Sequence, residues 1–151
     1  MSTHIKILGQ QDIQDFDIVP ELSGENRKKF FYIPIWAREI LENLRTPVNK
    51  VGFVLQLGYF KAANKFFSLK SFNLKDVDFI AGKLQISLSS IDLSSYSSSS
   101  LDRHQEVILN NLGWSRFDEA AKNILSQEAS ILCSKQTKPR LMFISLVEFL
   151  R

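Results

Sequence analysis

Between Thr46 and Phe67 the chain reads TPVNKVGFVLQLGYFKAANKFF, with apolar residues on nearly every side of a 3.6-residue wheel. Val48, Val51, Leu55, Tyr59, Ala62 and Phe66 make one face, and Phe53, Leu57 and Phe60 cover much of the opposite one. Thr46 is a good capping residue, and Pro47 suits the first helical position, where a missing N–H costs nothing. An all-round apolar helix in a soluble chain is usually a buried central one, and the pattern predicts such a helix over 46–67. A single polar stripe interrupts it: Lys50, Lys61 and Lys65 fall within about 60° of each other, along roughly 22 Å of helix.

The flanking pattern is helical as well. Ser23 predicts the cap of a helix from Glu25 to Phe31, and Trp36, Ile40 and Leu44 share a stripe in a second helix over 35–44. Asn73 opens a helix carrying Val77, Ile80, Ala81 and Leu84, and Ser89 to Tyr96 reads as a short helical partner. That pair has the spacing of a helix-turn-helix or of an ordinary helical hairpin, with Gln85 where the turn glycine is commonest. Ser94 to Ser100, SSYSSSS, reads as a flexible linker whose last serines can cap the next helix. A helix from Leu101 to Leu112 should stop at Gly113; another runs from Ser115 to about Cys133, and Pro139 starts a last one. The expected fold is all-α, a compact multi-helix domain around one long buried central helix, with a helix-turn-helix-like hairpin. Residues 1–24 read as an arm and 25–151 as the helical domain. The last helix stops in mid-pattern at Arg151, which reads as the boundary of a piece of a longer chain.

Composition narrows the function classes. A chain of 151 residues with 44% hydrophobic residues suits one domain with a real core, and twelve Phe supply large apolar area. Six Gly and four Pro without regular turn spacing argue against a sandwich or barrel. Cys133 is the only cysteine, and with His4 and His104 it makes no zinc spacing, so neither a disulfide, a metal nor a cofactor is expected. The start lacks the pattern of a signal peptide, and no uncharged apolar run is long enough to span a membrane; a cytoplasmic setting is expected. Asp76 and Asp78 stand two apart on a helix and point in different directions, Cys133 has no histidine near it in sequence, and no glycine-rich phosphate loop occurs. No catalytic residue is assigned.

Charge does point somewhere. The net charge is +3, yet residues 46–83 carry 6 basic against 2 acidic groups while the rest of the chain is near balance. The lysine stripe is then either a solvated face or a contact for a polyanion. In the second reading Lys50, Lys61, Lys65 and Lys70 track DNA phosphates, with Asn49, Gln56 and Asn64 near by to hydrogen-bond. Arg27-Lys28-Lys29 reads as a solvated helix face, and Arg116 with Lys135, Lys138 and Arg140 as a second basic group.

Residues 49–57, NKVGFVLQL, resemble the Asn-Arg-Leu-Gly-Phe-Ala-Leu-Gln-Leu signature near the N-terminus of the large TnpA transposases of replicative, cointegrate-forming transposons, the Tn-three family. Lys61, Lys65 and Phe66 are similar to that family's Arg-x-x-Gly-x-Phe continuation, with Asn64 in place of glycine. IAGKLQI resembles its Val-Ala-x-x-Leu-Gly-Leu segment. His104 matches the histidine of an Arg-Arg-Glu-His motif, Gly113-Trp114 and Phe117 a Gly-aromatic-x-x-Phe, and Lys138-Pro139 an Arg-Pro. The resemblance implies the helical N-terminal region of a transposase that helps recognise terminal inverted repeats. Its catalytic carboxylates would lie far downstream, and its partners would be double-stranded DNA and the rest of the transposase chain, with homodimerisation left open. The alternative is a structural or oligomerisation module of a transposase without DNA binding of its own. Leu101-Asp102 replaces the family's Arg-Arg pair, so His104 is as readily a packing residue as a contact.

Overall fold

Ser23 accepts the Asn26 N–H at 3.2 Å and opens helix α1 (Gly24–Phe30) in the computed structural model, which describes residues 15–114, 119–135 and 139–150. Helix α2 (Ile35–Asn43) starts after Pro34. The central helix, α3 (Pro47–Ala63), begins as its sequence predicts, with Thr46 Oγ1 accepting the Asn49 N–H at 3.3 Å. It stops earlier than its periodicity does. Asn64 takes the left-handed conformation at φ 56° and closes the helix by donating its N–H to the Phe60 carbonyl at 2.7 Å. Phe66 and Phe67 then pack beside the helix they had seemed to extend, with ring centres 4.7 Å from Phe60 and 5.9 Å from Tyr59.

Asn73 caps helix α4 (Leu74–Lys83), and Gln85 turns the chain at φ 57°. No second helix follows, so the helix-turn-helix-like hairpin is not formed. Residues 86–97 instead make two single 3₁₀ turns, Leu88–Ser90 and Leu93–Ser95. Polar side chains compete for the backbone there: Ser90 Oγ donates to the Ser87 carbonyl at 2.7 Å, and Ser95 Oγ to that of Asp92 at 2.6 Å. Asp92 Oδ1 also accepts the Ser94 N–H and hydroxyl. The serine run is therefore no linker: Tyr96 is buried within it, and Ser97 caps helix α5 (Ser98–Leu112), which ends at Gly113 with φ 76°.

The chain divides into two compact units, residues 17–114 and residues 1–16 with 115–151. The second holds helices α6 (Glu119–Lys135) and α7 (Pro139–Phe149), which pack on one another. Residues 1–14, the Ser115–Asp118 start expected for α6, Lys138 and the side chains of Cys133, Lys135 and Arg140 lie outside the described residues. Among the described residues no helix is long and apolar enough to cross a membrane.

In the first unit α3 is the core, packed against α1, α4 and α5, and every residue from Val51 to Phe60 is buried. Two glycines let neighbours close on it. A Cβ on Gly52 would stand 2.7 Å from the Tyr96 ring, and one on Gly58 would stand 2.1 Å from the Phe31 ring. Trp36 and Trp114 serve as packing anchors, edge-on to Phe53 and Phe60. Two polar knots tie the helices. Asp76, fully buried, accepts the Tyr59 hydroxyl at 2.6 Å and the Arg27 Nε–H at 2.7 Å, so Arg27 is half-buried and turned to Asp76, apart from the exposed Lys28 and Lys29. Burial, and then the bond to Asp76, raise the pKa of Tyr59. Near the start of the same unit Asp17 accepts bonds from the Ser68 N–H and hydroxyl and from the Ser71 hydroxyl. Burial alone would raise its pKa, but those bonds and Lys65 outweigh it and hold the carboxyl below its usual value.

The second knot joins α3 to α5. Gln56 Nε2 donates to the Tyr96 hydroxyl at 2.7 Å, and that hydroxyl lies 2.5 Å from His104 Nδ1. Burial, with help from Arg103, pushes the His104 pKa down to about 4, so the ring is neutral in the fold. Between about 4 and 6.5 the unfolded chain binds a proton here that the folded one does not. Stability should thus fall as pH drops through that window, by on the order of 2–3 kcal/mol between pH 7 and pH 4.5. Urea unfolding at pH 7 and pH 4.5 checks this, and His104→Gln should remove that part of the loss. A variant that keeps the full pH dependence would assign it to another group.

Candidate nucleic-acid interface

The residues expected to meet DNA do not form one surface. Gln56 is 2% exposed and holds Tyr96, so it cannot reach a base or phosphate. Lys65 lies beyond the end of α3, over the Phe67 ring at 4.6 Å and close enough to Asp17 to lower its pKa. Lys61 is half-buried and donates to the Tyr32 carbonyl at 3.0 Å. Asn49 and Lys50 are half-buried in the first turn of α3, and Asn64 is exposed but serves as the helix stop. Lys70 is exposed on a 3₁₀ turn beside a shallow hollow lined by Leu69, Phe72 and Leu74. The side-by-side stripe required an unbroken helix through Phe67, and Asn64 ends that helix. His104 packs edge-on to Phe53, inside the protein.

A different cationic group is assembled from three helices. Lys61, in the last turn of α3, holds the Tyr32 carbonyl. Lys83, at the end of α4, donates to the Phe31 carbonyl at 3.1 Å and stands 6.0 Å from the centre of the Tyr32 ring. Phe31 and Tyr32 directly follow α1, so both ammonium groups sit where the carbonyl end of a helix favours cations. Arg38, exposed on α2, is near enough to Lys83 for its charge to be felt there. Burial lowers the Lys61 pKa, and Lys83 lowers it further; burial and then Arg38 do the same to Lys83. The charges felt by Lys61 and Lys83 are thus cationic. Among the described residues none of the three has a carboxylate partner. An ammonium has three donors, and one carbonyl uses one of them. What remains is a set of donors of a single sign, suited to an anion with several oxygens.

Sequence reading passed over Tyr32, Arg38 and Lys83. Lys83 was visible as a cation in the last turn of α4, but nothing in its spacing connects it to Arg38 or Lys61. Among the described residues no group of three His, Cys, Asp or Glu side chains could hold a metal ion.

The fold and this site define an all-α domain with a cationic group gathered at the end of a short helix. The chain belongs to the family described as a domain of unknown function, DUF4158, whose profile matches residues 7–151. No curated protein and no solved structure matches it.

Proposed function

We propose that this chain is a DNA-binding module of a transposase, acting in the cytoplasm to help recognise transposon terminal inverted repeats and carrying no catalytic step of its own. The observation that supports it most is the trio Arg38, Lys61 and Lys83, which are cations drawn together without a neutralising carboxylate. Gathering like charges costs free energy in the isolated protein, and that cost is relieved when a phosphate chain lies against them. The resemblance of NKVGFVLQL to the transposase signature supplies the biological setting. That block itself is a packing device, since Gly52 seats Tyr96 and Gln56 bonds it. Phosphate contacts would position the domain, and base edges or DNA shape would choose the site.

The test is fluorescence anisotropy with labelled transposon-end duplex and scrambled duplex of equal length. Arg38→Gln/Lys83→Gln should weaken both by at least about tenfold at low salt, because phosphate contacts carry no sequence information. Unchanged affinity in that variant would remove the site from the interface.

A structural or oligomerisation role without DNA binding is the second reading. It is favoured by exposed apolar residues on α6 and α7, among them Ile124, Ile131, Leu141 and Ile144. A stable dimer in sedimentation that ignores transposon ends would select it.

A further inference from the structure

We infer that Tyr32 is a stacking platform for an unpaired nucleobase, with Lys61, Lys83 and Arg38 holding the phosphates of the same strand. This deepens the DNA-binding reading above and rests on it. Tyr32 is 55% exposed, whereas the neighbouring rings of Phe31 and Tyr59 are buried. It is also firmly placed. Its neighbours Phe31 and Ile33 are both buried, and its carbonyl is fixed by Lys61. The backbone that carries the ring is therefore fixed before binding, which lowers the ordering cost. Lys83 lies over one face of the ring, 6.0 Å from its centre, so a base would stack on the other face with a cation close by.

That pairing is the chemistry of single-strand recognition, in which aromatic faces take bases and cations follow the backbone. The interior of a duplex offers no free base face to such a ring. A duplex end with an unpaired tail does, and so does a nicked or opened strand. The ligand class is thus a short unpaired segment next to duplex DNA.

The experiment compares the full chain on a blunt duplex and on the same duplex with a short unpaired tail. The unsubstituted protein should bind the tailed DNA about tenfold more tightly, the size expected of one base stacked on an aromatic ring. Tyr32→Leu should bind both DNAs alike, and Tyr32→Phe should retain the preference, with thermal unfolding showing all three proteins folded. Neither substitution touches the Tyr32 carbonyl that Lys61 holds. Equal binding of blunt and tailed DNA by the unsubstituted protein, or a preference that survives in Tyr32→Leu, would overturn the stacking role while leaving the phosphate site standing. Failure to bind either DNA would overturn both.

Discussion

Asp76→Ala is expected to destabilise the 17–114 unit by about 3–5 kcal/mol, a large share of a typical domain's total. The carboxylate is the meeting point of three elements. It accepts from Tyr59 on α3 and from Arg27 on α1, while itself standing on α4. Deleting it leaves the buried Tyr59 hydroxyl proton without its acceptor, though the oxygen still accepts the Asn73 N–H, and leaves a guanidinium with little access to water. Asp76→Asn should cost less, about 2 kcal/mol, because one amide oxygen can still accept while the amide nitrogen faces another donor. Thermal and urea unfolding measure both. For a unit of this size the alanine variant should melt roughly 15–25 °C lower. A loss below about 1 kcal/mol would mean that the pair is no better than a surface ion pair.

Gly58→Ala should also destabilise, by about 1–2 kcal/mol net, although alanine is the better helix former. Propensity alone favours the change by roughly 1 kcal/mol. Packing opposes it, since the new methyl would lie 2.1 Å from a carbon of the Phe31 ring, which is itself 1% exposed and has nowhere to retreat. Overpacking of this kind costs about 1–3 kcal/mol or more. Moving Phe31 also disturbs its edge-on contact with Tyr59 and the carbonyl held by Lys83. Urea unfolding decides which effect wins, and a stabilised variant would show that the ring can shift at little cost.

Much of the helical framework was legible because its punctuation is local. Ser23, Thr46 with Pro47, Asn73 and Gly113 mark helix ends by their own chemistry, and the structure uses each of them. The C-terminal end of α3 was not legible. Asn64 is a weaker stop than glycine, and the apolar period runs on through Phe66 and Phe67, which pack in by turning back. SSYSSSS was misread for a related reason. Serine-rich composition signals solvation, but Tyr96 is buried there by space at Gly52 and a bond from Gln56, both distant in sequence. The cationic site was the least legible. A helical wheel can align residues only along one helix, whereas Arg38, Lys61 and Lys83 come from three, and Lys61 and Lys83 are held by the backbone after α1.

The salt dependence of DNA binding tests the central claim most directly. With Arg38, Lys61 and Lys83 each neutralising one phosphate, log affinity should fall with log salt at a slope of about −2.7, roughly 40-fold between 50 and 200 mM. In Arg38→Gln/Lys83→Gln the slope should shrink to about −0.9, with the duplex, pH and temperature unchanged. A slope near zero in the unsubstituted protein, or one that stays as steep in the variant, would contradict the assignment of these cations to the phosphate backbone.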